Sequence, residues 1–562
     1  MQVRFFAIPA VVLAGGLLAG FQGESLHHRV SFDRSDLVLG KERGFDVVHV
    51  EGTYPVGEEG TPRLPVKTVF LVLPQGAVAQ GVRVTGVETV VLDGDFVPLP
   101  VQKPGIPGEV VAFTEPSQDV YTSPDPYPST VVRLGTSGHM SGYAVAAVLV
   151  APVQYLPADR ALLFHESIEF DVDLALSSRE SGFPERQVRS TSLRKERFIQ
   201  TLVENPEDVI LARPPTRRER LDAVETDQTG FSPRSVPSVQ GSPVDYLIVT
   251  SEELKPAFEV LAEWKTQKGV PAVVRTLEEI KGSTPAGADD AQTLRRFIAR
   301  AREKWGVTWL LLGGDVEVIP ARYVEVDRWG TEKISDLYYG DLDGNWNADG
   351  DAVWAERSGD QVDFYFDLFV GRAPVETVEE AEVFVAKSID YDRGEGNHLD
   401  RILYMGEKLW PGDGKYYCER VDAYASKHWL EKTRLYESDG TEDRNSVLAA
   451  MDAGQNLIFN VSHGNAYRIL VGPSGHALEY TDMYALGNTG RYSIFYNVTC
   501  NANDISYSDS FSEWFMLNAE GGGVGYIGST WLDYPSISIL QNEAFFKLVF
   551  EEDDWRLGSA FG

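Results

Sequence analysis

From Val244 onward, short apolar runs alternate with amphipathic helical periods through this chain of 562 residues. VDYLIVT precedes the helical period LKPAFEVLAEWKTQKG, which closes at Gly269; VPAVVRT, AQTLRRFIARAREKWG and VTWLLLGGD continue the order. DLFVGRAP, TVEEAEVFVAKSIDYD, RILYMGE, NLIFNVSHGN, SIFYNVTC and GVGYIGST extend it toward the end of the chain. Unbroken Val/Ile/Leu runs are what strands buried on both faces require. Their alternation with helices predicts a parallel sheet covered by helices on both sides. A break near Asp400 divides the region into residues 243–398 and 399–562. Reactive groups in such sheets collect beyond the carboxyl ends of the strands.

The preceding residues have a different character. Residues 24–178 hold short Val-, Thr- and Tyr-rich runs broken by Gly and Pro, which predict an all-β domain. Residues 179–242 are rich in charge, Pro and Ser and read as a basic linker with one helix. Arg213, Arg217, Arg218 and Arg220 make that linker a candidate processing site. Residues 1–23 carry Arg4, an apolar centre over 5–18, and the small residues Ala19, Gly20 and Gly23. That is the layout of a secretory signal peptide, and it is short for a membrane span. The expectation is an exported chain with no transmembrane segment after cleavage. A formal charge of −33 argues against a nucleic-acid partner, which would want a basic face.

Two of the apolar runs stop at reactive side chains. One closes on His463-Gly464, the other on Cys500. A cysteine acts as a nucleophile through its thiolate, and a histidine can protonate the leaving amine and then hold a water. Gly464, lacking a Cβ, lets a backbone N–H approach a developing oxyanion, with the N–H of Cys500 as the second donor. His476 and His428 compete with His463 for the acid/base role. The chain contains only one other cysteine, Cys418, within a helical pattern. In an oxidising compartment a Cys418–Cys500 disulfide, in a non-catalytic secreted adhesion or assembly protein, is the rival reading. A serine hydrolase elbow is absent, and EGGGVGYIG runs from helix to strand, the wrong order for a phosphate loop. The loop GDLDGNWNADGDAVWAE offers Asp341, Asp343, Asn345, Asp349 and Asp351 at alternating positions. It is either a calcium loop or a solvated acidic turn, and Ala352 stands where a helix–loop–helix calcium site has Glu.

VSHGN and NVTCN, with LLLGGDVEVIPARY, SDLYYGDLDGNW, DLFVGRAPVETVEEA and the upstream LPVKTVFLVLPQGA, resemble the gingipain family of cysteine peptidases. The likeness implies a caspase-like parallel sheet sandwiched by helices in two subdomains, preceded by an all-β propeptide. It implies a secreted cysteine endopeptidase made as a zymogen, acting on protein or peptide substrates, with its own propeptide as inhibitor. His463 would be the acid/base, Cys500 the nucleophile, and Gly464 with Cys500 the oxyanion donors. An acidic residue ahead of the F-[VI]-G-R strand lies near the histidine in the family; that position here is Asp367, shorter than the usual Glu. Relatives use calcium, which implies a structural calcium on the acidic loop. The best-known relatives cleave after Arg or Lys through an acidic pocket, for which Trp531, Glu379 and Glu380 are candidates. Relatives also continue into an immunoglobulin-like domain and a sorting module, so a longer protein is expected.

Overall fold

The computed structural model describes residues 25–103, 112–176, 189–213, 244–327, 330–356, 358–394, 396–409, 412–425, 431–473 and 476–561. The expected signal segment, most of the linker with Arg217, Arg218 and Arg220, and His428 lie outside these residues.

The N-terminal part is built from antiparallel strands, as its short β-branched runs predict. One sheet pairs Ala161–Leu176 with Ser25–Ser31 on one side and Ala77–Leu92 on the other. A second sheet places β1 (Val132–Met140) beside β2 (Tyr143–Val150), followed by Leu64–Val72 and Tyr54–Val56. Val69, Leu71, Val148, Phe164 and Phe170 are completely buried in the core the two sheets share. Burial of such side chains contributes about 1.5–3 kcal/mol each, which holds two half-apolar sheets face to face. The linker retains one helix, Arg189–Leu202. Of the linker arginines, Arg213 is among the described residues, and its guanidinium forks onto Glu196 with two 2.7 Å bonds.

The rest of the chain forms two parallel sheets. The first contains β3 (Tyr246–Thr250), β4 (Ala272–Thr276), β5 (Trp309–Gly313) and β6 (Phe369–Ala373) in the order β4-β3-β5-β6. Helices α1 (Lys255–Gln267) and α3 (Val378–Arg393) cover one face, and α2 (Asp290–Trp305) covers the other. Thr377 and Glu380 form a capping box that starts α3, and Gly394 ends it in the left-handed region at φ 67°.

The second sheet contains β7 (Arg401–Gly406), β8 (Glu431–Tyr436), β9 (Leu457–Val461), β10 (Ser493–Val498) and β11 (Gly523–Gly528) in the order β8-β7-β9-β10-β11. α4 (Gly414–Ala425) and α7 (Pro535–Phe550) pack on one face. α5 (Arg444–Asp452) and α6 (Phe511–Leu517) pack on the other. The expected break near Asp400 falls between the sheets, since β7 opens the second at Arg401. All five residues of β9 are buried, so its unbroken apolar pattern reflects cover on both faces. Among the described residues no helix is long and apolar enough to cross a membrane.

Candidate active site

Parallel pairing fixes where the two reactive blocks end. Gly406 of β7 pairs with Val461 of β9, and Val461 pairs with Val498 of β10. His463 and Cys500 therefore stand at equivalent positions, two residues beyond a register pair on neighbouring strands. Beneath them lies a buried polar network. Asn460 Nδ2 donates to Asn497 Oδ1 at 2.6 Å and to Ser462 Oγ at 2.8 Å, and Thr499 Oγ1 donates to Asn497 Oδ1 at 2.7 Å. A connected buried network of this kind gives both strand ends one arrangement.

Glu407 follows directly after β7. Its Oε2 accepts the backbone N–H of His463 at 2.6 Å and lies 2.9 Å from His463 Nδ1. A carboxylate only accepts, which assigns the imidazole proton to Nδ1 and leaves Nε2 able to take up a proton. Burial works to lower the His463 pKa, but the hydrogen bond and charge of Glu407 outweigh it and hold the imidazole above its ordinary value. The histidine side chain keeps 24% of its surface exposed, so it faces an open space.

Cys500 is buried, and its Sγ rests against the backbone of Asp533, with the Asp533 N–H donating at 3.4 Å. Burial pushes its thiol up to about 11. The next residue, Asn501, takes φ 57°, a left-handed conformation that Asn tolerates better than most residues. Its N–H donates to Trp531 O at 2.9 Å, which straps the turn after Cys500 to the segment after β11. Lys333, from the hairpin Arg322–Glu325 with Glu332–Ser335, closes the same wall. It pairs with the fully buried carboxylate of Asp504 at 2.8 Å and lies over the Trp531 ring.

Gly464 opens a short hairpin in which it pairs with Ile469. A Cβ there would come within 2.2 Å of Thr499 Cγ2 and 2.8 Å of the Arg468 carbonyl, so close approach requires glycine at this position.

Both cysteines are free. Cys418 is buried on α4, where its thiol donates to Met405 O at 3.2 Å on β7. Cys500 follows β10, and its Sγ faces the Asp533 backbone instead, so each thiol has its own backbone partner.

Three expectations are corrected by geometry. Asp367 does not orient the histidine. It precedes β6, the edge strand of the other sheet, and its buried carboxylate accepts the Leu342 N–H at 3.0 Å. Burial, reinforced by Asp343, pushes its carboxyl up. Nor do the five residues of the acidic loop converge on one centre. Asp341 is fully buried, accepts the Gly344 N–H at 2.8 Å, and is pushed up to about 8 by burial and by the charge of Asp363. Asp343 groups with His139 and Asp363, whereas Asp349 and Asp351 group with Glu356. Asn345 accepts from its own loop at Asn347 N, and Asp349 and Asp351 accept the N–H groups of Asp351 and Val353. Their alternation is turn chemistry rather than a single ligand shell. Glu379 and Glu380, finally, sit in the first turn of α3, where Glu380 accepts the Glu376 and Thr377 N–H groups. Of the other candidates, Trp531 lies beside the Cys500 turn, while the exposed His476 lies near Asp443 at the start of α5.

Comparison with known proteins follows the same division of the chain. Residues 240–562 match the model of Peptidase family C25, and residues 21–191 match the C25 propeptide model. Lys-gingipain of Porphyromonas gingivalis is 21% identical over 526 residues, covering 89% of this chain and 27% of that protein. Gingipain R2 of the same species is 23% identical over 288 residues, covering 49% of this chain and 35% of that protein. The chain thus spans about a quarter to a third of the length of these relatives. The crystal structure of the Arg-specific cysteine proteinase gingipain R aligns with a TM-score of 0.46 at 19% identity, covering 57% of this chain and 72% of that one. A propeptide model and a peptidase model in tandem account for most of the sequence, and the chain belongs to peptidase family C25.

Proposed function

We propose that this chain is the zymogen of a secreted cysteine endopeptidase in which Cys500 is the nucleophile and His463 the acid/base. Glu407 is the positioning residue that fixes the imidazole. The observation that carries the reading is the Glu407–His463 pair just beyond β7 and β9, with Cys500 at the equivalent position beyond β10. In the reaction Sγ attacks the scissile carbonyl carbon, and the thiol proton passes to His463. The oxyanion is held by the N–H groups of Gly464 and Cys500 while the imidazolium protonates the leaving amine. Water then attacks the acyl-enzyme, His463 takes a proton from it, and the carboxylic acid leaves as Sγ is released.

The N-terminal part is the latency element of this reading. Its strand Tyr54–Val56 packs on α7, the helix that follows the Asp533 wall of Cys500. Glu51 reaches Arg420 on α4 at 3.7 Å, and His49 stacks edgewise on Tyr416. In this docked arrangement Cys500 is buried against the Asp533 backbone, and burial keeps its thiol protonated at neutral pH. A preference for Arg or Lys before the cleaved bond is the finer proposal, supported by the names of Lys-gingipain and Arg-specific gingipain R and by the basic linker.

The test is Cys500→Ala in the full chain. The variant should stay uncleaved in its linker and lose peptide hydrolysis by at least about 10³-fold. Normal linker processing together with full hydrolysis of basic peptides would remove the proposal.

A further inference from the structure

The β1 strand belongs to the propeptide, yet it ends inside the peptidase part. Thr136 Oγ1 and Tyr365 OH are 2.7 Å apart, the Ser141 N–H donates to Phe366 O at 3.1 Å, and the His139 N–H donates to Asp363 Oδ2 at 2.9 Å. Gly138 makes this approach possible, because a Cβ there would overlap the Asp363 carboxylate. At the centre of the contact His139 Nδ1 lies 3.5 Å from Asp343 Oδ2. One ligand atom each from His139, Asp343 and Asp363 falls within 4.8 Å of the others.

Two further observations set this group apart from an ordinary acidic patch. His139 is only 4% exposed, and its Nε2 has no hydrogen-bond partner. Asp341 is fully buried, its strongest charged neighbour is Asp363, and its Oδ2 is likewise unpartnered. Buried polar atoms are normally satisfied, and an orphan in a native fold points to an absent partner. A buried imidazole with the half-buried carboxylates of Asp343 and Asp363 is a donor set suited to a divalent transition cation. Calcium takes oxygen ligands, and imidazole is not among them.

We propose that His139, Asp343 and Asp363, backed by Asp341, form a zinc-type cation site shared between propeptide and peptidase. The site is complete only while β1 is docked, so the cation clamps the propeptide in place, and loss of the propeptide dismantles the site. The acidic loop then supplies two of its residues to a site whose imidazole comes from far upstream.

The experiment uses the full chain carrying Cys500→Ala, which keeps the propeptide attached, after chelator treatment and buffer exchange. Zinc and calcium are added separately, and bound metal and thermal midpoint are both read. About one equivalent of zinc should bind and raise the midpoint by several degrees. His139→Ala and Asp363→Asn should abolish both effects, while Asp349→Asn in the exposed group should leave them intact. The metal-free midpoints of all variants report on folding. Zinc binding and stabilisation unchanged by His139→Ala would overturn the proposal, as would calcium binding in place of zinc or no binding of either.

Discussion

At the scale of single residues, the proposed chemistry turns on how Glu407 holds His463. One carboxylate oxygen receives both the backbone and the ring N–H of His463. It holds the imidazole above its ordinary pKa against burial. Glu407→Gln removes the charge and keeps the shape, so the His463 pKa should fall. In a thiolate–imidazolium pair the alkaline limb of kcat/KM follows loss of the imidazolium proton. That limb should therefore move to lower pH in Glu407→Gln, with kcat/KM down roughly 10²-fold, the scale of a positioned proton-transfer group. A pH–rate profile checks both, and an unchanged alkaline limb would show that Glu407 does not tune the histidine. His463 and Cys500 were legible in the sequence because each terminates an apolar run abruptly. Glu407 also ends such a run, but nothing in the linear order shows that its strand becomes the neighbour of β9. Asp367 was the wrong partner for the same reason: β6 closes a different sheet.

At the scale of elements, continuous apolar runs separated by helical periods specify the two parallel sheets because burial on both faces leaves a strong local pattern. Local pattern fails where a tertiary contact decides. The acidic loop alternates like a calcium loop, but Asx turns direct Asp349 and Asp351 to their own backbone, and a propeptide histidine takes up Asp343. The Gly464 hairpin shows a constraint of packing rather than of dihedral angle. Gly464→Ala should cost about 1–3 kcal/mol from overpacking against Thr499 and the Arg468 carbonyl. Thermal unfolding would register this as a lower midpoint, and hydrolysis should fall further than stability accounts for, since in the proposed reaction the same backbone N–H would hold the oxyanion. An alanine variant as stable as the parent would mean that the hairpin repacks freely.

At the scale of the whole molecule, a β-sandwich lies against the peptidase part, touching α4 and α7, the helix that follows the Asp533 wall of Cys500. In the proposed zymogen latency is a matter of burial: the Cys500 thiol is pushed up to about 11, and removal of the propeptide from α4 and α7 would let its wall open and lower the cost of forming the thiolate. The free cysteines make this directly measurable, because Cys418 is sealed in the core of the second sheet. Iodoacetamide at neutral pH, applied to unprocessed and processed chain with the modified residue mapped and hydrolysis followed in parallel, tests the central claim. Cys500 should label slowly before processing and rapidly after it, Cys418 should stay unlabelled in both, and activity should disappear in proportion to the label on Cys500. Peptide hydrolysis that survives complete alkylation of Cys500 would contradict the account.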